Sequence, residues 1–126
     1  MLEQERAAYA VACIEAVAPK LQAKYQTAVR KLPTMIMVNG LGQAIAFLKA
    51  DAKNEAAQMA CRQLAEWVIR RRHIFRQETG QPELLKLIIS GDRETYLEAQ
   101  DETLALLVWL KRLADAFFAS SSGVDA

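Results

Sequence analysis

The chain has 126 residues, the size of one ordinary domain, and 52% of them are hydrophobic, which excludes disorder along its whole length. Sixteen Lys and Arg against fifteen Asp and Glu leave a net charge of +1, a total that by itself argues against a nucleic-acid or membrane-surface binder. Only eight residues are Gly or Pro, which disfavours a turn-rich β-protein and predicts an all-α fold.

The first predicted element is a long helix over about residues 3–31. Its apolar residues recur every three or four positions from Cys13 to Leu32, which is the spacing of one helical face. Pro19 falls inside this segment without interrupting that spacing. We therefore predict one helix with a kink at Pro19 rather than two helices.

A second pattern begins at Leu32-Pro33, because proline suits the first position of a helix, where its missing N–H loses no partner. The apolar run that follows ends at Asn39-Gly40, a pair that is also typical of a β-hairpin turn. The next residues are poor in β-branched side chains and repeat with helical spacing, so we predict two short helices joined there. We expect Gly40 and Gly42 to allow a close approach between helices.

Further helices are predicted in the second half of the chain. Asp51 or Asn54 caps a helix that ends at about Thr79, before Gly80. Pro82 is then predicted to start a short helix, which covers residues 84–89 and is ended by Gly91.

The last predicted helix spans about residues 93–119 and is capped by Asp92. Its acids lie toward its start and its bases toward its end, as the helix dipole favours. We therefore expect one compact all-α domain over residues 1–119, a bundle of five or six helices with a long first and last helix. A flexible tail over residues 120–126 completes the chain.

The titratable residues form no recognisable catalytic group. His73, the only histidine, is predicted to be a surface residue, and Cys13 and Cys61 are expected to be buried reduced thiols because they lie in apolar surroundings. The G-x-G of residues 40–42 lacks the preceding strand and the third glycine of a dinucleotide loop. We therefore predict neither an enzyme nor a cofactor or metal site.

The sequence also carries no sign of membrane association. The first residues lack the basic and apolar regions of a signal peptide, and the longest apolar run has seven residues, from Leu104 to Leu110. A membrane span needs roughly 20. We expect a soluble, cytoplasmic protein. The run itself fits either a central core helix or a helix with one side exposed as a protein–protein surface.

The net charge is a balance between segments of opposite sign. Residues 1–19 carry −2, residues 20–76 carry +8 and residues 77–126 carry −5. A segment with such an excess of bases attracts phosphates whatever the base sequence of the nucleic acid. We predict a nucleic-acid-binding face made of eight residues: Lys20, Lys24, Arg30, Lys31, Arg70, Arg71, Arg72 and Arg76.

Helical geometry groups some of these bases. Lys20, Lys24 and Lys31 project within about 40° of one another on a helix. Arg71 projects into the apolar stripe of its helix, where it needs a partner or a cleft. Four nearby bases have local partners or neighbours: Arg72 and Arg76 are an i, i+4 pair, and Arg62 and Arg70 each lie four residues from Glu66, at ion-pair spacing. The aromatic residues interleaved with the bases, which could add stacking, are Tyr25, Trp67 and Phe75.

Residues 29–48 read VRKLPTMIMVNGLGQAIAFL. This stretch, with a basic pair before Leu-Pro, an apolar run, Asn-Gly-Leu-Gly-Gln and then Ala-Phe-Leu, resembles the small-subunit family (subunit five) of the type III-B CRISPR effector, the Cmr complex. The resemblance implies a compact, α-helical, non-catalytic subunit in antiviral defence. Several copies would line the filament formed by the guide RNA and the backbone subunits, next to the target RNA, while other subunits cleave RNA.

Within the matching stretch, the resemblance implies a nucleic-acid role for Arg30 and Lys31 only. Four further positions are expected to be structural, as the joint between two helices: Asn39, Gly40, Gly42 and Gln43. The expected partners are the other Cmr subunits and the backbones of guide and target RNA.

Two hypotheses remain open at this point. In the first, the chain is an accessory RNA-binding subunit whose basic face follows a phosphate backbone without reading bases. In the second, it is a structural adaptor that joins protein subunits through the side of residues 104–110 and its acidic flank. The opposite charges of the two halves also allow weak head-to-tail self-association.

Overall fold

A computed structural model of the chain describes residues 1–75 and 83–118. The regular elements in these ranges are helices, which confirms the all-α prediction. Six α-helices are described: α1 (Leu2–Glu15), α2 (Gln22–Asn39), α3 (Leu41–Ala50), α4 (Glu55–Ala65), α5 (Leu84–Ser90) and α6 (Arg93–Phe117). A 3-10 turn at Pro19–Leu21 precedes α2, and a π-helical segment at Glu66–Arg71 continues α4.

The long last helix, α6, lies at the centre of the bundle. It packs mainly against α1 and α2, and α3, α5 and the π-helical segment contact it as well. As predicted, Asp92 caps it, because the Asp92 carboxylate accepts a hydrogen bond from the Thr95 backbone N–H at 2.8 Å. The apolar run within α6 is mainly core, since Leu106, Leu107 and Leu110 are fully buried.

The predicted first helix is in fact two helices, so the prediction of one kinked helix is wrong. α1 ends at Glu15, and Ala18 adopts an extended conformation with ψ 148° immediately before Pro19. The residue before a proline is disfavoured in the helical region because the ring crowds its backbone. The apolar spacing continues across the break because both helices bury the same side, with Cys13 and Tyr25 in the core.

Pro33 lies inside α2, which corrects the prediction that it begins a helix. A proline within a helix removes one backbone hydrogen bond and crowds the carbonyl four residues earlier. The neighbouring Val29, Leu32 and Ile36 are almost fully buried, on a helix that packs against α4 and α6. Tertiary packing therefore holds the helix together across Pro33.

The predicted joint at Gly40 is confirmed. Gly40 has a φ of +88° and separates α2 from α3. A Cβ on Gly40 would lie 2.8 Å from the hydroxyl of Tyr96, so a side chain there would require this hydroxyl to move. Tyr96 accepts a hydrogen bond from the Gly42 N–H at 3.1 Å, and Gln100 accepts one from the Leu41 N–H at 2.9 Å. These two side chains of α6 satisfy backbone donors at the start of α3.

α4 begins as predicted and ends earlier than predicted. The Asn54 side chain accepts a hydrogen bond from the Ala57 N–H at 3.1 Å, so Asn54 is the cap. The helix continues as the π-helical segment and ends at Arg71, whereas the sequence pattern placed its end near Thr79. His73, with a φ of 50°, then turns the chain away from the helix axis. Thr79 and the predicted stop at Gly80 lie outside the described residues.

The short helix α5 matches its prediction to within one residue and buries Leu84 and Ile88. Gly91 follows its last residue, as expected. The predicted start at Pro82 and the predicted tail at residues 120–126 lie outside the described residues.

Candidate nucleic-acid interface

Three of the predicted contact residues lie exposed along α2 and the turn before it: Lys20, Lys24 and Lys31. No carboxylate among residues 1–75 and 83–118 lies within ion-pair distance of their ammonium groups. Their charge is therefore available to a partner outside the chain. The helical projection of the sequence placed these three bases together; in the structure Lys24 and Lys31 lie on α2, and Lys20 lies in the 3-10 turn that precedes it.

A groove between α2 and α3 lies beside two of these lysines. Lys24 and Lys31 line it, and its cavity has a volume of about 250 Å³. The two residues are seven positions apart, so about 10 Å of helix separates their Cα atoms. Buried Leu32 and Leu48 also line the groove, and Thr27 lies between the two lysines on the α2 wall. Phe47 lines the groove from α3 and is 59% exposed.

Arg30 points to the other side of α2, toward α6. Its guanidinium lies 2.8 Å from a carboxylate oxygen of Asp115, which also accepts a hydrogen bond from the Gln26 amide at 2.7 Å. The hydrogen bond from Gln26 and then that from Arg30 lower the pKa of Asp115. The neighbouring bases Arg30 and Lys31 are thus divided between the α6 side and the α3 side of the helix.

Arg71, which the sequence placed in the apolar stripe of its helix, has two partners within the fold. Its guanidinium lies 5.2 Å above the centre of the Tyr9 ring, and its Nε is 3.9 Å from a carboxylate oxygen of Glu66. The π-helical segment explains this placement, because its turns are wider than those of an α-helix. The wider turns bring Glu66 toward Arg71, five residues on, and carry Arg71 out of the core to a half-exposed position.

Arg72 lies beside a buried carboxylate, Glu102, on α6. Its Nε is 3.5 Å from a Glu102 oxygen and has no hydrogen-bond partner in the described part of the chain. Arg6 of α1 binds the same carboxylate through two hydrogen bonds, at 2.9 and 2.8 Å, and the Trp67 indole donates a third at 2.9 Å. The hydrogen bond from Arg6 is the main cause that lowers the pKa of Glu102.

Arg70 and Arg76 are the remaining residues of the predicted nucleic-acid-binding face. Arg70 is exposed and has an interaction of its own within the fold. Arg76 lies outside the described residues, so its pairing with Arg72 is also outside them. Lys24 and Lys31 share the α2–α3 groove, whereas Arg71 lines a separate cavity against α1. The seven predicted residues that the structure describes therefore belong to at least two different places on the bundle.

The three aromatic residues that the sequence offered for stacking are core residues. Tyr25 is fully buried, and Trp67 and Phe75 are 2% and 5% exposed. The expectation that they add stacking to a basic face is therefore wrong, because their rings fill the interior. Phe47 is the aromatic residue that stands beside lysines, and the sequence reasoning missed it. A signal was present, because Phe47 falls off the apolar face formed by Leu41, Ile45 and Leu48.

Arg6 and Glu102 were also missed. Glu102 is one of the acids that lie toward the start of the last helix, and the sequence analysis did not single it out, yet it is buried. Its position was informative, since it lies three residues after Ala99 and four before Leu106, both fully buried. A carboxylate on the buried face of a helix requires a cationic or hydrogen-bonding partner.

His73, Cys13 and Cys61 are the residues that the sequence analysis considered for catalysis or metal binding. His73 is exposed, as expected, and has an interaction within the fold. Cys13 and Cys61 are free thiols, the first buried and the second half-buried. Burial raises the pKa of Cys13 to about 11 and also raises that of Cys61, so both are protonated at neutral pH.

Among residues 1–75 and 83–118, the His, Cys, Asp and Glu side chains form no group of three that could hold a metal ion. The helices of those ranges also lack the combination of length and apolar character needed to cross a membrane.

A family model described as "CRISPR-associated protein (Cas_Cmr5)" matches residues 2–117, almost the whole chain. The chain belongs to the Cas_Cmr5 family. This membership confirms the resemblance that residues 29–48 carry and extends it over all six described helices. A Cas_Cmr5 protein is a CRISPR-associated subunit of the Cmr type, and it assembles with other components of such a complex.

Within this Cas_Cmr5 chain, the matching stretch covers most of α2, the Gly40 joint and most of α3. Gly40 and Gly42 have the structural role that was expected at the joint, and Asn39 and Gln43 are exposed beside it. The same stretch also supplies Lys31 and Phe47 to the α2–α3 groove.

Proposed function

We propose that the chain is the non-catalytic, cytoplasmic small subunit of a type III-B CRISPR (Cmr) ribonucleoprotein that targets RNA in antiviral defence. It stabilises the filament by joining other Cmr subunits and contacts the backbones of guide and target RNA through its bases. The observation that carries this proposal is the exposure of Lys24 and Lys31 on α2, and of Lys20 in the turn before it, without a carboxylate partner in the described ranges.

We assign the first backbone contacts to these three lysines because several of the arginines are engaged within the fold. Arg30 and Arg72 lie beside Asp115 and Glu102, and Arg71 lies beside Glu66. An arginine in an exposed ion pair can exchange its partner for a phosphate at small cost, since such pairs stabilise by at most about 1 kcal/mol. Arg30, Arg70 and Arg71 therefore remain secondary contacts outside the α2–α3 groove, Arg76 remains one on the charge pattern of the sequence alone, and Arg72 is the least available of the eight.

Reconstitution of the complex with charge-reversed chains tests this proposal. We expect the double variant Lys24→Glu and Lys31→Glu to join the other subunits and to weaken retention of target RNA. The matched control reverses two exposed bases on α5 and α6, Lys86→Glu and Arg93→Glu, and should retain RNA like the unaltered chain. Equal retention by both variants would contradict a role for the α2 lysines.

The second candidate function is a structural adaptor without direct RNA contact. An exposed apolar area favours it: Ile89 is 73% and Leu97 is 40% exposed, and both line a groove beside Gly42 and Tyr96. The side of residues 104–110, named first for this role, is mostly buried, with Val108 still half-exposed. An adaptor would join the complex equally well with and without RNA, and Ile89→Ser would prevent its entry.

We also propose weak head-to-tail contact between copies, through the basic α2 side of one chain and the acidic C-terminal half of the next. Sedimentation at low salt should show association that higher salt removes. A chain that stays monomeric at low salt would contradict this contact.

A further inference from the structure

We propose that the α2–α3 groove is a binding site for single-stranded RNA, in which one base stacks on the ring of Phe47 while the phosphates on either side approach Lys24 and Lys31. The inference rests on the proposed function, which places RNA on α2, and it adds what the groove itself recognises. A bare phosphate backbone would need only the lysines. The exposed ring implies that the nucleobase is bound as well.

The position of Phe47 carries the argument. Its ring is 59% exposed, whereas Phe75 and Phe118 are almost fully buried. It lines the groove together with Met35, Leu32 and Leu48, so an apolar surface continues from the ring down to the core. A flat base laid on the ring would cover this surface, and every base offers a π-face, so the contact does not depend on sequence.

The charges around the groove favour a polyanion as its occupant. Lys24 and Lys31 stand on the α2 wall about 10 Å apart, without a carboxylate partner in the part of the chain that the structure describes. An apolar floor between two cations suits a ligand that has flat apolar groups joined by phosphates.

One acid also lines the groove and limits the path of the strand. Asp51 stands at the end of α3, and its carboxylate accepts a hydrogen bond from the Asn54 amide at 3.0 Å. It repels a phosphate near that end, so the strand should run along the lysine wall. Replacement of this carboxylate, Asp51→Asn, should therefore tighten RNA binding.

Single-stranded RNA is the occupant that fits, because the bases of a duplex are already stacked and cannot reach a ring inside a groove. A short, fluorescein-labelled oligouridylate at low salt is the probe for the full-length chain. Phe47→Leu keeps the side chain apolar and removes the ring. We expect it to weaken binding of the oligonucleotide about 5-fold or more, and Phe47→Tyr to retain it. Phe117→Leu, at the other exposed phenylalanine of the described ranges, is the matched control and should have no effect.

An oligonucleotide without bases separates stacking from backbone contact. Phe47→Leu should leave its affinity unchanged, whereas Lys24→Glu with Lys31→Glu should weaken it. If Phe47→Leu binds the intact oligouridylate as the unaltered chain does, while the lysine variant binds it more weakly, the stacking inference fails and the proposed function stands. If the lysine variant also binds both oligonucleotides normally, the proposed function fails too. Helical circular dichroism of each variant identifies any loss of fold.

Discussion

At the scale of the residue, the buried carboxylate of Glu102 ties three elements of the bundle together. It lies on α6 and binds Arg6 of α1 and Trp67 of the π-helical segment, with Arg72 3.5 Å away. A buried ion pair of this kind is costly to break, because removal of one partner leaves the other charge without compensation. Glu102 therefore fixes where the arginine-rich end of the π-helical segment lies relative to α1 and α6.

Removal of this carboxylate should destabilise the fold strongly. We expect Glu102→Ala to lower the free energy of unfolding by about 3–5 kcal/mol, because Arg6 and the Trp67 indole lose their acceptor. Asp101→Ala, at the exposed neighbouring position, should change it by less than about 0.5 kcal/mol. Urea unfolding of both variants measures the difference, and similar values for the two would refute the role given to Glu102.

The same carboxylate should make stability depend on pH at the acidic end. The fold lowers the pKa of Glu102, so its contribution is fully present above the pKa of an unfolded Glu, about 4.3, and is lost as the pH falls through the lower folded pKa. Urea midpoints measured from about pH 6 down to about pH 3 should fall less steeply for Glu102→Gln than for the unaltered chain. Parallel curves would show that the pKa of Glu102 is not shifted.

At the scale of the element, the presence of the helices could be predicted from composition and apolar spacing. The ends of the helices could be predicted only where a single residue, such as a cap or a glycine, sets them. The helix ends at Asn54, Gly40 and Asp92 could be predicted because each of these residues acts on the backbone next to it. Asn54 and Asp92 cap a helix, and Gly40 adopts a positive φ. The break before Pro19 was missed because α1 and α2 bury the same side, which preserves the spacing across it. The continuation of α2 through Pro33 was missed. Packing of α2 against other helices outweighs the local cost of the proline, and the sequence of one segment does not show that packing.

The joint between α2 and α3 offers a sharp test at this scale. Gly40→Ala should lower the free energy of unfolding by about 1–3 kcal/mol, because φ +88° with ψ 161° is strained for any side chain and the new Cβ meets the Tyr96 hydroxyl. Gly42→Ala is the control. Its Cβ would make only ordinary contacts at 3.7 Å, and alanine favours the helix, so stability should stay the same or rise. Thermal unfolding compares the two, and an equal loss in both variants would contradict the account of the joint.

At the scale of the whole molecule, the near-neutral net charge hides an uneven surface. The +8 of residues 20–76 could be read from the sequence, and the shared groove of Lys24 and Lys31 agrees with their helical projection, whereas Lys20 lies in the turn before α2. The ion pairs of Arg30 with Asp115 and of Arg72 with Glu102 could not be read, because they join residues more than 25 positions apart. Long-range pairing thus decides which bases remain available, and the sequence shows only which bases exist.

The salt dependence of RNA binding tests the central claim, that the α2 lysines contact the RNA backbone. The full-length chain, a variant with Lys20, Lys24 and Lys31 changed to Gln, and a control with Lys86, Arg93 and Arg112 changed to Gln are compared on single-stranded RNA. Both variants lose the same charge. A single-stranded contact contributes about 0.7 to the slope of log affinity against log salt. We predict that the slope shrinks by about 2 for the α2 variant and stays unchanged for the control. Equal slopes for all three chains would contradict the claim.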